Sequence, residues 1–261
     1  MDNSKHLPAF ERLLNILDEL REKCPWDREQ TVESLRTLTI EEVYELSDAV
    51  MRNNFSEIKK ELGDILLHIV FYSKIADEQG QFNISDVINA LCDKLIYRHP
   101  HVFGAVEVDG SGEVVKNWEQ LKIREKDGNR TVLSGVPASL PALIKACRIQ
   151  EKAAATGFDW EKREQVWDKI DEERDELRRE IEKSDADSME AEFGDLLFSL
   201  VNAARLYGVN PETALERTNR KFISRFTYLE NQTIRQGRSL QSMSLAEMDA
   251  IWEEAKQTEN E

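Results

Sequence analysis

Apolar residues recur along most of this chain at intervals of three and four, the period of a helix with one buried face. Leu13, Ile16, Leu17 and Leu20 mark a first helix over residues 8–24, stopped by Pro25. Residues 24–31, with Trp26 among them, read as a turn. A second helix runs from Thr31 to about Arg52, where Asn53-Asn54 breaks it, and a third runs from a Ser56 cap to Gln79. Gly80 ends the third, Ser85 caps a fourth over residues 84–98, and His99-Pro100-His101 stops it. From 104 to 130 the pattern loosens. Alternation around Asp109-Gly110 suggests a small hairpin or a mobile loop, a short helix with Trp118 spans 115–126, and 127–129 reads as a linker. Ser139 and Pro141 open the second half, whose first helix stops at Thr156-Gly157. Two acid-rich helices joined at 184–187 follow, then one from Asn210-Pro211 past Tyr228. A last helix, carrying Trp252, lies behind a Ser244-x-x-Glu247 capping box. No strand-rich region competes, so the predicted class is all-α, built as helical bundles.

The acid-rich pair carries the candidate chemistry. Glu173 and Glu176 are three residues apart, as are Glu192 and Asp195, so each pair projects from one helical face. Each abuts an apolar run, Ile170 and Leu177 in one case and Leu196-Leu197-Phe198 in the other. Unpaired carboxylates there lose hydration unless something neutralises them. Two antiparallel helices with a short turn would aim all four at one point, a hard-cation site of the magnesium or manganese kind. The device occurs twice: Glu42, Glu45, Glu61 and Asp64 each precede their counterparts by 131 residues. A lone E-x-x-E means little in a chain that is 33% charged, but the whole pattern E-E-x-x-E then E-[LF]-G-D, repeated at one spacing, marks an internal duplication. The leading Glu41 and Glu172 are water-orienting groups or simply exposed acids. Lys94/Arg98 and Lys221/Arg225 recur 127 residues apart, which makes them candidate phosphate contacts. His68 follows Asp64 by four residues, but its counterpart is Ser199, which favours a structural histidine. Trp252 reads as a core anchor or a stacking platform.

Charge and composition narrow the partners. A formal charge of −16 argues against polymeric nucleic acid but not against a small anionic substrate, provided a metal and a few cations reverse the local field. No apolar run is long enough to span a membrane, and the polar start of the chain is not a signal peptide. Three cysteines without metal-site spacing suggest a reducing cytoplasm. A Walker loop, a Ser-His-Asp set and a Cys nucleophile setting are all missing from the sequence, which favours direct phosphoanhydride hydrolysis. A di-iron carboxylate oxidase would need Glu-x-x-His, which neither copy has. A non-catalytic helical adaptor or nucleotide sensor stays open, and pyrophosphate release distinguishes it.

Cys24-Pro25-Trp26-Asp27 with Gln30-Thr31, Glu41-Glu42-x-x-Glu45, Glu61-Leu62-Gly63-Asp64, His99-Pro100-His101-Val102-Phe103 and Gly157-Phe158-Asp159-Trp160 resemble the MazG family. These are two-domain nucleoside triphosphate pyrophosphohydrolases of the all-α NTP pyrophosphatase superfamily. The resemblance implies tandem helical bundles, 1–130 and 131–261, and cleavage of nucleoside triphosphates to monophosphate and pyrophosphate with Mg2+ (Mn2+ substituting). It also implies a homodimer whose two chains complete each bundle. By the same resemblance Glu173, Glu176, Glu192 and Asp195 hold the metal, Lys169 to Glu173 lie along the nucleotide, Lys221 and Arg225 hold phosphates, and Trp252 flanks the nucleotide. The C-terminal copy is expected to carry most turnover, with the first half mainly structural or regulatory. Ser188-Met189-Glu190-Ala191 is less acidic than the family pattern.

Overall fold

A computed structural model describes residues 3–110, 112–114, 117, 118, 121 and 131–258. It divides into two compact units, 1–108 and 109–261. Among the described residues the regular structure is helical throughout, without a strand, and none of these helices is long and apolar enough to cross a membrane.

In the first unit, α1 (His6–Lys23) ends on an extended Cys24. The expected turn after it contains a short helix, α2 (Pro25–Glu29), because Pro25 supplies a pre-set φ at the first position and Asp27 suits the first turn. Thr31 and Ser34 form a capping box that opens α3 (Val32–Met51). Asn53 then takes a left-handed turn at φ 53°. The cap of α4 (Phe55–Glu78) is Asn54, not Ser56: Asn54 is extended, and its side chain accepts from the Ser56 and Glu57 amides. Likewise Asn83, not Ser85, caps α5 (Ile84–Arg98), in a box with Asp86. Pro100 starts a further short helix, α6 (Pro100–Phe103), where a simple stop is expected. The core forms where α1, α3 and α4 meet, around Leu17, Leu35, Val70, Phe71 and Ile75. His68 is buried there, its Nδ1 2.8 Å from Thr39 Oγ1, which also lies 2.8 Å from the Tyr72 hydroxyl.

The alternating stretch around Asp109-Gly110 shows no strand in its described residues. Within the expected helix 115–126, residues 117, 118 and 121 are helical. Its remaining positions and the linker 127–129 lie outside the described residues.

The second unit repeats the central hairpin. α7 (Ala142–Ala155) is followed by Gly157 at φ 94°, a C-terminal turn that only glycine adopts readily. α8 (Val166–Lys183) ends at a left-handed Ser184, and Asp185 caps α9 (Ala186–Leu206) by accepting from the Ser188 amide. A two-residue link thus folds α9 back along α8, as α4 folds back along α3. Asn210 and Pro211 open α10 (Pro211–Arg235). The Ser244/Glu247 box opens α11 (Leu245–Thr258), with Glu247 accepting from the Ser244 amide at 2.8 Å. α7 packs on α9 and α10, and α11 packs on α10.

Candidate metal and nucleotide site

Each hairpin brings three of its four acids together. Glu42, Glu45 and Glu61 each offer an oxygen within 4.8 Å of the others, and so do Glu173, Glu176 and Glu192. Asp64 and Asp195 fall outside these groups, so the quartets converge less completely than the sequence pattern suggests. They follow Glu61 and Glu192 by one turn, so their positions are nearby. Asp195 instead lines a cavity beside Glu173 and Lys169.

The donor sets fit a hard cation. Oxygens on opposite sides of a magnesium ion stand about 4.2 Å apart, given Mg–O distances of about 2.1 Å. Glu61 and Glu173 are buried, at 4% and 6% exposure, each against a lysine. One oxygen of Glu61 and one of Glu192 is buried with no hydrogen-bond partner. Burial, then Glu176, Asp195 and Glu173, push the Glu192 carboxyl above the usual range. Glu42 is raised likewise, by burial and then by Asp64, Glu45 and Glu61. Such crowding of like charge is what a bound dication relieves.

The cations near the two sets differ. In the first unit Lys60 Nζ lies 3.0 Å from Glu61, 3.8 Å from Glu45 and 3.9 Å from Asp64, so an ammonium reaches three of the four acids. The residue 131 positions later is Ala191, which has no charge to offer. There Lys169 bonds Glu173 at 2.7 Å and the leading Glu172 at 3.0 Å, and these two bonds raise its pKa. Glu176 pairs with Arg179 at 3.0 Å. In the first unit Glu41 lines, with Glu45, Lys60 and Glu61, an open groove of about 700 Å³.

The second unit has a cavity of about 670 Å³ leading away from its acids, between α7, the 157–160 loop, α8 and α9. Lys169, Glu173 and Asp195 form one wall and Phe158, Trp160 and Phe198 supply aromatic faces. Arg205 ties the loop to α9, donating to Asp159 at 3.0 Å and to Asn202 Oδ1 at 3.0 and 2.8 Å. Burial raises the Asp159 carboxyl, but the Arg205 and Trp160 hydrogen bonds outweigh it and hold the group below its ordinary pKa. Val166, Ser199 and Asn202 line this cavity, Val166 and Ser199 being themselves buried; their counterparts at the 131-residue spacing, Leu35, His68 and Phe71, are larger side chains and are buried in the first unit.

Lys221, Arg225 and Trp252 form a second group where α10 meets α11. The Trp252 ring lies 5.1 Å from Phe222 and under the Arg225 guanidinium at 5.8 Å. None of the three lines the cavity. Lys94 and Arg98 lie at the C-terminal end of α5, whereas Lys221 and Arg225 lie midway along α10. Sequence spacing alone does not point to Lys60, Gln150, Asn202 or the Arg205–Asp159 pair. Comparing aligned positions for lost volume and gained charge would find Lys60 and Asn202.

Paired helical hairpins that bring carboxylates together define an all-α protein with two acid groups that could each hold a metal ion. The profile of the MazG nucleotide pyrophosphohydrolase domain matches residues 30–103 and again 161–229. The chain is 46% identical over 250 residues to the nucleoside triphosphate pyrophosphohydrolase/pyrophosphatase MazG of Thermotoga maritima, covering 95% of each chain. It is 41% identical over 257 residues to the nucleoside triphosphate pyrophosphohydrolase of Escherichia coli K12, covering 96% of this chain and 98% of that one. A Bacillus subtilis protein, YabN, is 44% identical over 254 residues, which are 96% of this chain but 52% of that protein. The chain belongs to the MazG nucleotide pyrophosphohydrolase family.

Proposed function

We propose that this chain hydrolyses nucleoside triphosphates to monophosphate and pyrophosphate, and that the second unit carries most of the turnover. The observation that supports this placement is Glu173, which belongs to the Glu173/Glu176/Glu192 group and also lines the cavity with Lys169 and Asp195. In this reading Glu173, Glu176, Glu192 and Asp195 hold magnesium, with manganese as a substitute. The cation supplies Lewis-acid polarisation of phosphoryl oxygens and activation of water. Lys169, paired with Glu172 and Glu173 on the cavity wall, would reach the triphosphate. Glu172, adjacent to Glu173 in α8, would orient water. Lys221 and Arg225 hold phosphates, and Trp252 flanks the nucleotide. The first half, 1–130, is mainly structural or regulatory, and 131–261 is the catalytic domain.

Those last three residues stand apart from the cavity in one chain, which fits a homodimer in which two chains complete each bundle. Exposed apolar side chains on α9 and α10 support it: Phe193 and Leu197 are more than half exposed, as are Phe222 and Ile223. All three cysteines are free thiols, which suits the cytoplasm. Neither a membrane nor polymeric nucleic acid is a partner in this reading.

Hydrolysis in oxygen-18 water tests the reaction. Label should enter the monophosphate and leave pyrophosphate unlabelled; orthophosphate with nucleoside diphosphate would give the wrong bond.

A further inference from the structure

Gln150 on α7 is 6% exposed and lines the cavity of the second unit. Its amide nitrogen donates to the Phe198 carbonyl at 2.8 Å. That bond fixes which end of the amide faces α9, because a carbonyl oxygen there would meet another carbonyl. The Gln150 Oε1 acceptor is left buried without a hydrogen-bond partner. Of the other charged and amide groups that line the cavity, Asn202 Oδ1 and Asp159 accept from Arg205, and Lys169 bonds Glu172 and Glu173. A buried acceptor that stays unpaired is costly, so a ligand offering an N–H is favoured there.

The cavity's shape and lining say what kind of ligand this is. Its volume lies within the range of small-molecule sites, about 300–1,000 Å³. Phe158, Trp160 and Phe198 give it apolar, stackable faces, which suit a flat heterocycle. Glu173 and Asp195 on its wall repel a bare phosphate, so the anionic end of a nucleotide belongs at the cation site and the other end in the cavity. We propose that the cavity receives the nucleobase, and that the Gln150 carbonyl oxygen accepts an N–H from the base's hydrogen-bonding edge. This rests on the pyrophosphohydrolase reading of the site. One acceptor is met by the amino group of adenine or cytosine and by the ring N–H of guanine or uracil. The contact therefore admits every ordinary base and disfavours those with no N–H.

The test uses the full-length protein with magnesium and two non-hydrolysable ligands, the α,β-methylene triphosphates of adenosine and of purine riboside. They differ only in the 6-amino group, and purine riboside has no N–H on its base. Calorimetry should show tighter binding of the adenosine compound, by a factor of about 5 to 150, the worth of one buried hydrogen bond. In Gln150→Met the ratio should fall below about twofold while both still bind. Ser199→Leu, which fills the cavity, should weaken both. Equal affinities in the unaltered protein would overturn the contact even if Gln150→Met failed to fold. A ratio that persists in Gln150→Met would overturn it too. Equal binding with pyrophosphate release intact removes the base contact alone, whereas no binding of either ligand and no pyrophosphate release removes the functional reading with it.

Discussion

At matching places in the two hairpins, Leu35, His68 and Phe71 of the first unit stand where the second has Val166, Ser199 and Asn202. The first three are buried, with Leu35 and Phe71 at 1% and 2% exposure within the core cluster. The second three are smaller and line a cavity of about 670 Å³, although Val166 and Ser199 are as buried as their counterparts. Ser199 lies one turn beyond Asp195, so the acids and the cavity share a helix and yet are set independently. Carboxylate focusing needs only two capped antiparallel helices, and both units keep it. Room for a nucleoside needs lost side-chain volume further along the same face, and the second unit has it. The ligand set repeats, whereas the lining of the space beside it does not.

The largest effect is expected from the acids themselves. Combining Glu192→Gln with Asp195→Asn should weaken magnesium or manganese binding at the second unit strongly and lower turnover by about 100-fold or more, because several kcal/mol of charge stabilisation goes with the metal. Calorimetric titration reads the first loss and pyrophosphate release the second. Unchanged metal affinity would remove these acids from the site.

Exchanging cavity for core should be the next largest effect, and it acts in opposite ways on the two units. Phe71→Ala should destabilise the first unit by about 3–5 kcal/mol, since a fully packed ring is removed. Asn202→Phe should leave metal binding intact and raise KM for nucleotides by about tenfold or more, from lost room. Denaturant melts and steady-state kinetics separate these outcomes. Equal kinetic effects from both changes would mean the cavity is not used.

Smaller still is the Lys60/Ala191 difference. Lys60 is largely exposed, and exposed ion pairs contribute up to about 1 kcal/mol. Lys60→Met should thus tighten metal binding at the first unit by up to about fivefold, and Ala191→Lys should loosen it at the second by a similar factor. Both changes should shrink in high salt.

The smallest effect belongs to α11, which positions Trp252. The Ser244 amide, then Arg238 and the Ser244 hydroxyl, hold Glu247 down to about 2. A carboxylate with a depressed folded-state pKa contributes stability above its unfolded value of 4.5, and that stability is lost as pH falls toward about 2. Glu247→Gln should flatten the acid limb of thermal unfolding over this window, lowering the melting temperature slightly at neutral pH and leaving it nearly unchanged near pH 2.

Much of the fold is legible in the sequence because its determinants are local. The duplication, the acid hairpins and the Ser244/Glu247 box are spacing rules, and residues obey them without help from distant neighbours. The caps at Asn54 and Asn83 are easily mistaken for the serines two residues on, since both residue types favour that role and backbone geometry decides between them. The α2 helix is hidden because its five residues are too few to show a period. Gln150 cannot be read from sequence at all: its unpaired acceptor exists only after α7 crosses α9 and the Phe198 carbonyl takes its amide.

The measurement that bears most directly on the comparison is a pair of full-length double variants assayed for pyrophosphate release with saturating magnesium. Glu173→Gln with Glu176→Gln should reduce turnover by about 100-fold or more, as expected when a catalytic metal is lost. Glu42→Gln with Glu45→Gln should leave most of it. If the first pair stays active while the second is dead, the working site is in the first unit and the roles of the two units are reversed.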